Sequence, residues 1–380
     1  MGNIIKVLFI CCLLFGSALA VPAQKANADT SRYLVELSAK PADLKAALKD
    51  WNMLRSFFLD GHYYAVLTGQ KSLEELKSNP AIISAGVDRK TGTAAAYKQT
   101  TPWGVKKSQA YRLTAKDCAC KIAIIDSGIS DHEDLKGRVQ SKITYLYGKE
   151  IPKTATDTAG DQHGTHVAGI IAANNNTYGV TGMVPNAQLM IVKVFEGEYG
   201  GYFSDITAGI AWAVNNGAEV MNLSLGVHAS KDEVTERVLK SAYDKGVTIV
   251  AASGNEGLTV DYPASSAYTI AVGAVDQNYR MPYWSNYGRG LDILAPGVNV
   301  LSTVNKNQYA AYSGTSMAAP HVTAAISKLL PLYTGPKNGQ RVEWVRKRLT
   351  EYADMRSVAL KGRTLQIPVL NLYRSYYGIK

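Results

Sequence analysis

Three segments of this chain carry side chains that could act together on an acyl group. Ile124-Ile125-Asp126-Ser127-Gly128 puts a carboxylate at the end of an apolar run. Asp161-Gln162-His163-Gly164-Thr165-His166-Val167-Ala168-Gly169 puts an imidazole at the head of a segment rich in small residues. Ser313-Gly314-Thr315-Ser316-Met317-Ala318-Ala319-Pro320-His321 puts a hydroxyl at the start of an apolar helix pattern, just after a glycine. Singly, each has an ordinary explanation: a turn or N-cap aspartate, a hydrogen-bonded core histidine at His166, a serine N-cap. Together they meet a chemical requirement. A serine hydroxyl is a weak nucleophile at neutral pH; it needs a base within reach, and that base needs a carboxylate to hold its tautomer. Asp126, His163 and Ser316 supply the three parts. The Gly-x-Ser-x-Gly elbow of lipases and esterases is absent, because Gly314 and Ala318 flank Ser316. The spacing of His163 and His166 could suggest zinc, but the Glu of His-Glu-x-x-His and a nearby third ligand are missing.

The segments that must position these groups alternate in type. Lys121–Ile125, Ala187–Val194, Glu219–Leu225, Val247–Ala252 and Thr269–Val275 read as buried strands, and 163–174, 204–216, 232–245 and 316–330 as helices. Such alternation predicts a parallel sheet with helices on both faces, whose ligands sit at the carboxyl ends of the strands. Before it, residues 30–90 form a smaller unit. It reads as strand (Tyr33–Leu37), helix (Pro41–Asp50), strand (Tyr63–Thr68), helix (Ser72–Ser78, opened by a Ser72/Glu75 capping box) and strand (Ile82–Val87). Between the two lies Lys90–Thr101, small, polar and aperiodic, as a cleavable linker would be. Met1–Ala20 has a short positive start at Lys6, an apolar stretch Val7–Phe15 and the small-x-small sequence Ala18-Leu19-Ala20, the layout of an export signal; Ala26-Asn27-Ala28 is a second cleavage candidate. Cys11 sits mid-run after Phe9-Ile10, which argues against a lipid anchor.

With 46% hydrophobic residues the chain is too apolar for a disordered protein, and its 33 glycines show no short repeat. The net charge of +10 is spread with mixed signs and no aromatic-interleaved basic stripe, so nucleic acid is not an expected partner. Four cysteines make neither a disulfide framework nor a zinc set.

The three segments closely resemble the signatures of the subtilisin-like serine proteases (subtilases, peptidase family S8), down to Ile-Asp-Ser-Gly, His-Gly-Thr-His-Val-Ala-Gly and Gly-Thr-Ser-Met-Ala-x-Pro-His. The chain order Asp, His, Ser is also that of subtilisin. The resemblance runs from about Gln99 to about residue 330, more loosely to the end. It implies an α/β fold with a parallel sheet sandwiched by helices and a secreted serine endopeptidase working through Asp126, His163 and Ser316. Ala251–Gly257 resembles the family's oxyanion segment, with Asn255 as side-chain donor. Ser224-Leu225-Gly226 and Gly200-Gly201 resemble the two edges that pair with an extended substrate. Asp261 matches the floor of the pocket for the residue before the scissile bond, with Glu256 at its rim; two carboxylates there would favour lysine or arginine.

The same resemblance implies structural calcium held by Gln99, Asp134 and Asn176 side chains with the carbonyls of Asn174, Tyr178 and Val180, a hard cation's all-oxygen set. Residues 29–97 resemble a ferredoxin-like inhibitory and chaperoning propeptide, and 98–380 the catalytic domain, with 1–28 as the signal. Cleavage after Tyr97 is the family-like choice; cleavage after Lys98 suits an acidic pocket better. Cys118-Ala119-Cys120 could close a small ring or hold two free thiols. The basic tail from Arg341 reads as a helix packed through Val342, Val345 and Leu349. Protein or peptide substrates, the chain's own propeptide, no membrane after signal removal and a monomer are the expected associations. The rival readings are a selective processing protease of the same fold and an inactive binding protein.

Overall fold

The computed structural model describes residues 31–88, 99–113, 120–196, 200–360 and 363–380. The signal segment, most of the linker, Tyr97, Lys98 and Cys118 lie outside the described residues. The chain divides into two compact units. The smaller contains strands β1 (Ser31–Leu37), β2 (Asn52–Leu59) and β3 (His62–Gly69), helix α1 (Leu73–Lys77) and strand β4 (Ile82–Val87). Its sheet is antiparallel in the order β2-β3-β1-β4, a ferredoxin-like arrangement. Helix α1 starts where the capping box predicts: Glu75 N donates to Ser72 Oγ at 3.2 Å and Ser72 N to the Glu75 carboxylate at 2.8 Å. Two expectations are corrected. The helix over Pro41–Asp50 is only a 3-10 turn at Pro41–Leu44, for Lys40 provides no side-chain cap. Strand β2 went unread because nearly all its residues are exposed, which erases the period-2 signal.

The larger unit opens with α2 (Trp103–Lys107) and β5 (Lys121–Asp126). A hairpin, β6 (Val139–Leu146) and β7 (Lys149–Pro152), leads to α3 (His163–Ala172) and β8 (Gln188–Lys193). Then come α4 (Phe203–Asn215), β9 (Val220–Leu223), α5 (Glu233–Asp244), β10 (Thr248–Ala252), β11 (Thr269–Val275) and β12 (Ile293–Pro296). A second hairpin, β13 (Val300–Val304) and β14 (Gln308–Tyr312), precedes α6 (Thr315–Leu329). The unit ends with α7 (Gly339–Glu351), β15 (Asp354–Leu360), β16 (Arg363–Val369) and α8 (Leu372–Tyr377).

Ten strands form one sheet in the order β15-β16-β12-β11-β10-β9-β5-β8-β6-β7. Every pairing from β16 to β6 is parallel; only the outermost pairs, β15–β16 and β6–β7, are antiparallel. Alternate side chains serve opposite faces. Ile122 and Ile124 pack with α3 and α6, whereas Ala123 and Ile125 pack with α4 and α5. The five strands and four helices expected from the alternation are present within a residue or two of their predicted ends. The strands β6, β7 and β12–β16 were not anticipated; the tail helix was, with Val342, Val345 and Leu349 fully buried on α7. Among the described residues no helix is long and apolar enough to cross a membrane. Cys120 is disulfide-bonded, and the other cysteines lie outside the described residues.

Helix α3 seats closely because its residues are small. Ser302 Oγ donates to His166 O at 2.7 Å and Thr303 Oγ1 to Thr165 O at 2.9 Å. A Cβ on Gly169 would run into both hydroxyls. Gly169→Ala is therefore expected to destabilise the protein by about 1–3 kcal/mol, the usual penalty of overpacking. Thermal melts of the two proteins check this; an unchanged melting temperature would refute the packing argument.

Candidate active site

Strand β5 is where the sheet's winding reverses. From β5 the chain passes out to β6 and β7 on one side, returns through β8, and then crosses β5 to wind outward through β9 to β12 on the other. Such a reversal opens a crevice at the carboxyl ends of the strands. Asp126 is the last residue of β5, paired with Lys193 of β8, and Ile125 pairs with Leu223 of β9. Asp126 thus ends β5 beside Ser224, the first residue past β9, with neighbouring strands roughly 4.8 Å apart in the hydrogen-bonding direction.

The imidazole reaches this edge from the first turn of α3. His163 Nδ1 lies 2.7 Å from Asp126 Oδ1, which also accepts the Ser127 N–H at 2.7 Å. The approach needs two glycines. Gly128 has φ +113°, and a Cβ there would strike the 155–157 backbone; a Cβ on Gly164 would strike Gly128 and stand 3.1 Å from Asp126 Oδ1. Asp126 is fully buried. Burial alone would depress the His163 pKa, but the charge and hydrogen bond of Asp126, with Asp161 and Asp157 beyond, outweigh it and push it up to about 9. His166, one turn on, is the opposite case. It is fully buried, bonded to Ala310 O at 3.0 Å and stacked on Tyr312, and burial pushes it down to about 3. It is a neutral core histidine, as the ordinary explanation had it.

Ser316 stands in the first turn of α6. Its hydroxyl donates to Ser224 O at 3.2 Å rather than to the imidazole. In return Ser224 Oγ donates to Ser316 O at 2.7 Å, and Asn222 Nδ2 to Ser224 Oγ at 2.8 Å. The helix start is thereby fixed to the end of β9, beside Asp126. Asn255 lies across from it. Its carbonyl Oδ1 accepts from Thr315 N at 2.9 Å and Thr315 Oγ1 at 3.0 Å, which leaves the amide N–H₂ as the outward end. The Ser316 N–H is one of the first-turn donors that a helix cannot satisfy internally. A hydroxyl, an imidazole–carboxylate pair and two amide donors thus share one strand edge.

The walls follow the two neighbours of β5. Ser224-Leu225-Gly226 continues β9. Gly200-Gly201 lies past β8, with Gly201 against Val194 and Phe195, and the Phe195 ring is 6.3 Å from that of His163. Asp261 is buried under Gly226 and Gly254; its Cβ is 3.4 Å from where a Gly226 Cβ would stand. Burial first, and the exposed Glu256 carboxylate second, push Asp261 up to about 6, against the pull of His228. His228 was not foreseen; nothing in Gly226-Val227-His228 marks it from sequence.

A separate cluster lies where the loop after α3 meets the segment at Gln99. The Gln99 amide nitrogen is 2.7 Å from Asn174 O, 3.2 Å from Asn176 Oδ1 and 3.3 Å from Val180 O. Asp134 accepts from Asn176 Nδ2 at 2.7 Å, Val180 N at 2.9 Å and Tyr309 OH at 2.9 Å. Tyr178 joins through its N–H, 2.9 Å from Asn176 Oδ1. With a single carboxylate it is not a cluster of three or more acidic, histidine or cysteine groups, and no such cluster occurs among the described residues. The oxygens of Asn174, Asn176 and Val180 converge on the Gln99 amide nitrogen, and oxygens are what a hard cation requires.

Two further residues escaped the sequence reading. Buried Asp157 accepts from Ser127 Oγ at 2.9 Å, Thr165 N at 3.0 Å and Thr165 Oγ1 at 2.7 Å, pinning the turn after β5 to the head of α3. Buried Lys193 donates to Ser127 O, Thr156 O and Thr158 Oγ1 at 2.7–3.1 Å. Asp157 sits in a polar stretch and Lys193 ends an apolar strand; only the fold shows that both brace the Asp126 turn.

Comparison with known proteins bears on the whole arrangement. A sequence model of the subtilase family matches residues 118–361. An alkaline protease of Alkalihalobacillus alcalophilus is 43% identical over 259 residues, 67% of this chain but only 65% of that protein's length. Subtilisin BL of Lederbergia lenta is 45% identical over 60% of this chain and 83% of its own. Subtilisin J of Geobacillus stearothermophilus is 34% identical over 89% of this chain and 92% of its own. Among solved structures, a protease of Pseudoalteromonas arctica superposes with a TM-score of 0.63 at 26% identity, over 71% of this chain and 93% of that one. A family match that covers nearly all of the central sheet, and a relative aligned along nearly its full length, establish that the chain belongs to the subtilase family.

Proposed function

We propose that the protein is a serine endopeptidase that hydrolyses peptide bonds through an acyl-enzyme, made as an exported, self-processing precursor. The observation that carries this reading is the 2.7 Å pair of Asp126 and His163 at the same strand edge as Ser316 and the Asn255 amide. Ser316 Oγ attacks the scissile carbonyl carbon while its proton passes to His163 Nε2. Asp126 holds Nδ1–H and stabilises the imidazolium without itself taking the proton. The tetrahedral oxyanion is met by Asn255 Nδ2–H and the Ser316 N–H. Collapse expels the amine, which leaves with the His163 proton; water then repeats the sequence on the ester. Ser224–Gly226 and Gly200–Gly201 offer backbone to an extended peptide on either side, a mode that reads shape more than sequence. Asp261 and Glu256 support a preference for lysine or arginine before the scissile bond.

The small unit, as residues 29–97, is read as the propeptide, and 98–380 as the catalytic domain. The Gln99, Asp134, Asn174, Asn176, Tyr178 and Val180 cluster fits calcium, which would supply cross-linking of these loops by a buried charge. Chelation should then lower the melting temperature and speed self-digestion; at a hundredfold excess over Kd, bound metal is worth about 2.7 kcal/mol. Identical melts with calcium and with chelator would remove calcium from this account.

Labelling by a fluorophosphonate should depend on Ser316 and vanish in Ser316→Ala, with kcat falling on the order of a millionfold, the size of effect known for a subtilisin. Asn255→Ala should keep the fold and lose roughly 10²–10³ in kcat, again as known for a subtilisin. Labelling that persists in Ser316→Ala would end the proposal. The acid limb of kcat/KM should also report His163. The base works only when neutral, so activity should climb with pH toward about 9. Asp161→Asn removes a negative charge that favours the imidazolium, so the limb should move to lower pH; a limb that stays put would show that Asp161 does not act on His163.

A further inference from the structure

Three titratable groups meet at the floor of the proposed pocket. Asp261 enters from beneath, with only 5% of its side chain exposed. Glu256 comes from the loop after β10, and its carboxylate is tied down by Asn255 N at 2.8 Å and Asn286 Nδ2 at 2.9 Å. His228 comes from the segment after β9, with Nδ1 3.3 Å from Asp261 Oδ1 and 57% of its side chain exposed. The other close neighbours of the Asp261 carboxyl, Gly254 and the Asn286 amide, carry no charge. Asp261 is therefore flanked by opposed influences. A neighbouring carboxylate resists its ionisation, whereas an imidazole that donates a hydrogen bond, or carries a charge, favours it.

We propose that His228 is a specificity-determining residue: balanced against Glu256, it sets the pH above which the pocket floor carries the charge that selects a lysine or arginine side chain. The proposal rests on the reading of Asp261 as that floor. Below the set-point the floor is a neutral carboxyl, which suits an uncharged side chain; above it the floor is an anion beside a second anion, which suits a cation. Burial and Glu256, partly offset by His228, leave Asp261 raised to about 6, so the change falls in weakly acidic solution. His228 acts by pulling that value down from where burial and Glu256 alone would leave it.

The experiment compares two peptides that differ only in lysine or leucine before the scissile bond, cleaved by the active form obtained from the whole chain across pH 5–9. Taking the ratio of their kcat/KM values cancels the ionisation of His163, which both substrates share. The ratio should rise about tenfold, the worth of one charge-assisted contact, through a midpoint near pH 6. In His228→Gln the midpoint should move up, since Glu256 is then less opposed; in Glu256→Gln it should move down. A merely structural role for His228 would not produce shifts of opposite sign. A lysine preference that is flat with pH, or midpoints that stay put or move together, would overturn the proposal. If lysine is never favoured while cleavage still requires Ser316, the floor assignment falls and this proposal with it, but the endopeptidase reading stands.

Discussion

The site exists because one helix can come unusually close to one turn. The head of α3 must touch the Asp126–Gly128 segment for an imidazole nitrogen to lie 2.7 Å from a buried carboxylate. Gly164 and Gly128 remove the side chains that would hold the backbones apart. Asp157 and Lys193 then fill the polar demand of the tight turn with a carboxylate and an ammonium, each with several partners. A buried charge of this kind is tolerable only when its hydrogen bonds are made. The network therefore stiffens the His163–Asp126 pair, which Gly128 and Gly164 allow to meet.

The second fixed point is a strand end. Helix α6 is held to β9 by exchanged bonds between Ser224 and Ser316, and Asn255 is held to α6 through Thr315. Ser316 and the Asn255 amide are thus set by the same helix start, while His163 and Asp126 are set by the β5 turn. The two halves meet only because β5 and β9 are neighbours in the sheet. The Ser316 hydroxyl rests on a carbonyl 3.2 Å away. A rotation about its Cα–Cβ bond is the local change that would redirect it.

Much of this was legible in the chain because each piece is local. The apolar run before Asp126, the small residues after His163 and the glycine before Ser316 are signals of a strand end and two helix starts. The central strands read as near-continuous apolar runs because they are buried on both faces. Strand β2 and the edge hairpins were not legible, since exposed edge strands need no alternation of polar and apolar residues. Asp157, Lys193 and His228 were hidden for a different reason. Their importance lies in partners 30 or more residues away, and no spacing along the chain encodes that. The cluster at Gln99 was read from family likeness; apart from Asp134 its oxygens come from amides and carbonyls, which leave no charge pattern to find.

Gln99 has one more consequence. Its side chain is bonded to three oxygens of the Asn174–Val180 loop, and the next residue is laced to the same loop, with Thr100 N on Gly179 O at 2.8 Å and Thr181 N on Thr100 O at 3.2 Å. A chain severed just ahead of Gln99 would begin with its first residues already sewn into the body. An aminopeptidase must draw a loose, extended end into its own cleft. A terminus tied down in this way would present no thread to pull.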